Sequence, residues 1–121
     1  MTKPNVVAIV QARMGSSRLP GKVLMDIGGK PMLRHVLDRL DQAATLDGIV
    51  VATGLSPLDD AIADACQDWM FPHYRGSDYD VLARILGAAR EYDATIVVRV
   101  TADCPLIDPD VLDDCVQPLL D

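Results

Sequence analysis

Aromatic residues are scarce in this chain. One Trp, one Phe and three Tyr make up 4% of 121 residues, so its core must be aliphatic. With 50% hydrophobic residues, that composition fits one small globular domain spanning 1–121. No stretch approaches the roughly 18 apolar residues of a membrane span. The start, MTKPN, lacks the apolar region of a signal peptide. The expectation is a cytoplasmic protein with no membrane partner. Cys66, Cys104 and Cys115 are odd in number and share no C-x-x-C spacing, which argues against a zinc site and reads as reduced thiols. Positive charge is short overall, and a net charge of −7 argues against a nucleic-acid polymer as partner.

The few cations are unevenly placed. Residues 1–40 hold seven of the eleven, namely Lys3, Arg13, Arg18, Lys22, Lys30, Arg34 and Arg39, against only Asp26 and Asp38. The remainder carries four cations and sixteen acids. An acidic protein with one basic segment suits a small polyanion better than DNA or a lipid surface.

Within that segment the informative stretch runs from Val6 to Lys22. Val6-Val7-Ala8-Ile9-Val10 is a run of five apolar residues, four of them β-branched, and reads as a strand buried on both faces. The loop after it contains Arg13, Arg18 and Lys22 and no acid. Three cations in a short loop repel one another unless an anion sits among them. Gly15, Ser16, Ser17 and Gly21 allow backbone amides to approach such an anion. The loop is not a Walker A motif: five residues separate Gly15 from Gly21, Pro20 lies among them, and Val23 follows Lys22. No G-x-G-x-x-G is present either. Receiver domains of similar size need an acidic pair after the first strand, where Gln11-Ala12-Arg13 stands.

Further along, Val23–Ile27 reads as extended, ending in a Gly28-Gly29 turn. Pro31 suits the first helical position, and Met32, Leu33, Val36, Leu37 and Leu40 share one face of a helix over 30–43. His35 on that helix reads as a surface or half-buried residue. Ile49–Ala52 is the next buried strand. Ser56-Pro57-Leu58-Asp59 reads as cap, first-turn proline and capping box, with Leu58, Ile62, Ala65 and Trp69 as the core stripe. A weak strand over 70–74 precedes Arg75-Gly76-Ser77, where Ser77 and Asp80 mark another helix start. Its stripe is Val81, Leu82, Ile85, Leu86 and Ala89. Thr95–Val100 is a strong strand, and a last helix is capped by Asp108 and meets Pro118 near its end. Strands alternating with helices give an α/β fold, an open parallel sheet with helices on both faces.

In such a sheet the carboxyl ends of all strands lie on one edge, so the basic loop and Asp103 converge there. Cations opposite one carboxylate suit a nucleoside triphosphate with magnesium.

The run Ala12-Arg13-Met14-Gly15-Ser16-Ser17-Arg18-Leu19-Pro20-Gly21-Lys22, followed by Gly28-Gly29-Lys30-Pro31-Met32, resembles the cytidylyltransferases that make CMP-activated sugar acids. Within them it is most similar to the spore-coat polysaccharide branch. The resemblance implies a Rossmann-like fold of the nucleotide-diphospho-sugar transferase type. It also implies CTP with Mg2+ as donor, a sugar acid or sugar phosphate as acceptor, and pyrophosphate as leaving group. By the same resemblance Arg13 and Lys22 contact the triphosphate, with Gly15, Ser16 and Arg18 in the same loop. Gln11 and Ala12 offer groups to the base, while Arg75 and Ser77 serve base and ribose. Asp103, in Asp103-Cys104-Pro105-Leu106, holds the catalytic magnesium, and Thr101 stands where the CMP-KDO synthetases have glutamine. The resemblance covers nearly all of this chain but about half of a typical member, whose second half supplies the acceptor site, dimer contacts and a further metal carboxylate. Either an enzyme or a non-catalytic nucleotide-binding relative is compatible with this pattern. Leu119 and Leu120, apolar residues beside a helix, lead to an expectation of self-association.

Overall fold

A computed structural model of the chain describes residues 3–15, 20–103 and 106–120. Four parallel strands form the main sheet: β1 (Val6–Gln11), β4 (Gly48–Gly54), β5 (His73–Gly76) and β6 (Ile96–Thr101), in the spatial order β5-β4-β1-β6. Two short strands, β2 (Asp26–Ile27) and β3 (Lys30–Pro31), pair antiparallel as a separate hairpin. Gly28 and Gly29 turn that hairpin at φ of 61° and 99°, a region that favours glycine.

The helices are α1 (Met32–Leu40), α2 (Asp60–Asp68), α3 (Val81–Glu91) and α4 (Pro109–Leu120). Along β1 successive side chains alternate between the faces of the sheet. Val6, Ala8 and Val10 pack with Leu33, Val36, Leu37 and Leu40 of α1, Ile62 and Cys66 of α2, and Leu112 and Val116 of α4. Val7 and Ile9 pack on the opposite face with Ile85, Ala88 and Ala89 of α3. The open parallel sheet with helices on both faces is therefore as the alternation predicts. Because α3 lies over β5, β4 and β1, the same face of β6 is left more open, and Val97 and Arg99 are exposed there.

Several local readings are corrected. Lys22–Leu24 is a short 3-10 helix, entered through Gly21 at φ 77°, where an extended segment was expected. Only Asp26–Ile27 is extended, because Val23 turns inward as a core residue. Pro31 caps α1 from β3 and is not its first helical residue. After β4, a 3-10 turn over Pro57–Asp59 rotates the expected stripe. Leu58 is 67% exposed as a result and Asp59 is 0% exposed. On α3, Leu82 and Leu86 face solvent, whereas Arg84, Ile85, Ala88 and Ala89 are buried. The cap of α3 is Asp80, whose carboxylate accepts from the Ala83 N–H at 2.9 Å. His35 is half-buried, its Nε2 lying 2.5 Å from the Ile27 carbonyl oxygen.

Candidate functional site

Strand order fixes where a ligand can bind. From β1 the chain steps outward to β4 and β5, then returns by α3 to place β6 on the other side of β1. The connections after β1 and β5 therefore run in opposite directions along the sheet, and in open α/β sheets the carboxyl edge at such a reversal is where ligands bind. Gln11 and Thr101 are the paired last residues of these two strands. Beyond them lie Ala12, Arg13, Met14 and Gly15 on one side, and Ala102 and the exposed Asp103 on the other. The topology thus gathers Gln11, Ala12, Arg13, Gly15, Thr101 and Asp103 at one edge. Ser16 and Arg18, named from the sequence, fall outside the described residues, as do Cys104 and Pro105.

Odd-numbered residues at the end of β1 share the α3 face, and the charges gather there. The Gln11 amide lies between Arg84 and Arg99. With its oxygen turned toward Arg99, it accepts from Nε at 2.5 Å and Nη2 at 3.1 Å. Arg84 is 3% exposed and donates through Nη1 to the Ser77 carbonyl at 2.8 Å. Its Nε has no hydrogen-bond partner among the described residues. Burial and the like charge of Arg13 pull the Arg84 guanidinium pKa downward, against the attraction of Asp59 and Asp78.

Arg13, at the start of the β1 loop, meets anions that the protein itself supplies. Arg13 Nε donates to Asp59 Oδ2 at 2.5 Å, and Nη1 donates to the Asp78 carbonyl at 2.5 Å. Arg13 Nη2 also lies 3.7 Å from Asp78 Oδ1. This corrects the reading of Arg13 as an unopposed cation awaiting phosphate. Lys30 and Arg34 are paired with Asp38 at 2.6 and 3.0 Å. Arg39 donates to the Ile107 carbonyl at 2.7 Å, tying α1 to the segment after β6. Lys22 stands apart: among the described residues, no carboxylate pairs with it.

Arg75 is likewise engaged. It donates to the carbonyls of Gly54 at 2.8 Å and Ser56 at 3.0 Å, and pairs with Asp60 at 2.8 Å, so it braces the loop after β4. Ser77 accepts the Asp80 N–H at 3.0 Å and orders the turn into α3. Asp78 Oδ1 accepts from the N–H groups of Leu55 at 2.7 Å and Ser56 at 3.1 Å. Burial pushes the Asp78 carboxyl upward, but those N–H groups, with Arg13 and Arg84, outweigh it and hold the pKa below its ordinary value.

Asp59, Asp78 and Arg84 were not singled out from the sequence as site residues. Asp59 and Asp60 offered one signal, two adjacent acids just past a strand end. A buried arginine in mid-helix offered none.

A cytidylyltransferase family model matches residues 7–121. The 3-deoxy-manno-octulosonate cytidylyltransferase of Pelobacter propionicus is 36% identical over 97% of this chain and 45% of its own length. The spore coat polysaccharide biosynthesis protein SpsF of Bacillus subtilis is 36% identical over 97% of this chain and 50% of its own. Among solved structures, a cytidylyltransferase from Leptospira borgpetersenii superposes with a TM-score of 0.90 at 38% identity, covering 95% of this chain and 48% of that one. A CMP:2-keto-3-deoxy-manno-octonic acid synthetase complexed with CTP superposes with a TM-score of 0.81 at 31% identity, covering 95% and 47%. The chain spans about half the length of the relatives it matches.

Proposed function

The chain belongs to the cytidylyltransferase family, and from that premise we propose that it binds CTP with magnesium at the reversal of its sheet, as the nucleotide half of a sugar-activating transferase. The observation that carries this reading is the meeting of residues 11–15, at the end of β1, with residues 101–103, at the end of β6, on one carboxyl edge of the sheet, with Lys22 bearing a charge that no described carboxylate offsets. Lys22 contacts the triphosphate, joined by the loop amides around Gly15 and by Ser16 and Arg18. Gln11, Ala12, Ser77 and Thr101 face base and ribose, while Arg75 braces that side of the crevice. Arg13 sits beneath the phosphates, held by Asp59 and Asp78.

Asp103 fits a magnesium ion shared with a triphosphate. It is an exposed hard oxygen donor at a strand end, and magnesium typically takes one or two carboxylates, substrate phosphates and waters. When bound, the ion neutralises charge on the phosphate oxygens.

In the reaction an acceptor oxygen of a sugar acid or sugar phosphate forms a bond to the α-phosphorus. The bond to the β-phosphate oxygen breaks, pyrophosphate leaves, and a hydroxyl acceptor loses its proton. Such a step needs positioning and charge neutralisation and no protein nucleophile. The acceptor site and any self-association belong to this proposal too. No described helix is long and apolar enough to cross a membrane, and cytoplasmic residence is part of the same reading.

Calorimetric titration with CTP, UTP, ATP and GTP, each with magnesium, tests the assignment. CTP is expected to bind tightest. Equal affinity for all four would contradict recognition of cytosine.

A further inference from the structure

Asp59 is fully buried. A buried carboxylate without partners is costly, so its environment must supply them. Oδ2 accepts from Arg13 Nε at 2.5 Å, and Oδ1 accepts from the Met14 N–H at 2.8 Å. The Met14 carbonyl in turn accepts from the Gly21 N–H at 2.8 Å. Both backbone groups of Met14 are thus anchored, and the chain between Met14 and Gly21 leaves from a fixed stem.

Arg13 extends the tie to a third loop. Its Nη1 reaches the Asp78 carbonyl, and Asp78 Oδ1 holds the N–H groups of Leu55 and Ser56. The connections after β1, β4 and β5 therefore meet at one guanidinium. Gly54, the last residue of β4, lies beneath that junction. A Cβ there would stand 2.6 Å from Asp59 Oδ2, 2.8 Å from Arg13 Cζ, and closer still to Asp78 Oδ1. All three atoms belong to the junction, so it has room only over glycine.

We infer that Asp59 is a positioning residue for nucleotide binding: acting on Met14 directly and on Arg13 across Gly54, it fixes Met14 and, through it, Gly21 beside Lys22 before the nucleotide arrives. The inference rests on the proposed triphosphate site. With two carboxylates around Arg13, the guanidinium organises the loop, and the charge offered to phosphate comes from Lys22. Holding Met14 and Gly21 in place during folding spares the nucleotide the entropy of ordering them.

The test uses the 121-residue chain and the variants D59N, R13Q, the double variant and G54A. Asparagine keeps the volume of Asp59, but its single amide oxygen can serve only one of two donors, Met14 N–H or Arg13 Nε–H. In ligand-free D59N, hydrogen exchange at one of these two is expected to rise tenfold or more, with the Val36 amide unchanged. CTP–magnesium affinity, measured by calorimetry well below the melting temperature, is expected to fall tenfold or more. The double variant should lose less than the product of the two single losses, because Asp59 and Arg13 hold one junction. D59N binding within twofold of wild type, or losses that multiply in the double variant, would overturn the inference. Should D59N fail to fold, G54A leaves all three side chains in place and displaces them, and is expected to lose affinity equally. Wild-type affinity in G54A would likewise overturn it. If wild type itself binds no CTP, the proposed function falls, while the exchange rates still decide whether Asp59 holds the loop.

Discussion

Lys22 and Asp103 carry the ligand-facing charge in this account, and each makes a separable prediction. Lys22→Ala removes a charge-assisted contact to phosphate, on the order of 1.5–3 kcal/mol of binding. Its melting temperature should match wild type, because the half-buried lysine has no described ion pair to lose. Equal CTP affinity in the two proteins would remove Lys22 from the site. Asp103→Asn keeps size and loses the charge that a hard cation prefers. Magnesium should then cease to strengthen triphosphate binding, while metal-free binding persists; unchanged magnesium dependence would refute the metal role. The residues flanking these two show how far a sequence can be read. The placement of Arg13 and Asp103 at one carboxyl edge was legible because a buried strand followed by a basic loop, and a carboxylate after another strand, are local patterns. Asp59 and Asp78 were not, since their importance lies in which side chain they meet across 46 and 65 positions of chain. Only for Arg13 did the expectation of unopposed charge fail: its counter-ions come from two other loops.

At the level of elements, periodicity located the four α-helices, and short apolar runs located the principal strands of the sheet. It failed where a short turn rotated the register. The 3-10 turn before α2 moved Leu58 outward and Asp59 inward, a change no apolar spacing foretells. Leu37 of α1 is fully buried against the sheet, and Leu37→Ala is expected to cost about 2–5 kcal/mol in a denaturant melt. Asp113 of α4 accepts from the Ala44 and Thr45 N–H groups at 2.9 Å each, joining α4 to the connection before β4. The Thr45 hydroxyl and these two N–H groups hold the Asp113 pKa below its ordinary value. Its stabilising effect is then complete above the usual carboxylate range and is lost as pH falls through the lowered value. The gap in melting temperature between wild type and D113N should be widest at neutral pH and should close in acid. A gap independent of pH would contradict the charged cap. Burial pushes the Cys66 thiol up to about 11, whereas Cys115 is exposed. At pH 8 an alkylating reagent should label Cys115 in the folded protein and reach Cys66 only after unfolding, as peptide mapping would record.

Across the whole molecule, the strand order β5-β4-β1-β6 sets the function that the residues can perform. It brings the end of the first strand beside the end of the last, although 90 residues separate Gln11 from Thr101. The alternation of strands and helices predicted the parallel sheet, and the position of β1 at its interior followed from the all-apolar run Val6–Val10. Which way the chain turned after β5 was not legible, because handedness and order arise from packing α3 on the opposite face. Binding requires the crevice at that reversal, whereas transfer also requires an acceptor held near the α-phosphorus. Orientation of that kind can account for about 7–11 kcal/mol of rate enhancement. The 121-residue polypeptide, spanning about half of its relatives, is therefore expected to release pyrophosphate from CTP and sugar acids more slowly than about one per second. Faster turnover would show that an acceptor site lies within these residues. The most direct test of the nucleotide site is thermal unfolding of this chain with CTP and magnesium. At a hundredfold excess over Kd, binding to the folded state adds about 2.7 kcal/mol, enough to raise the melting temperature by several degrees. That rise is expected with CTP and magnesium together, and a smaller one in Lys22→Ala. An unchanged melt with every nucleoside triphosphate at millimolar concentration would contradict it.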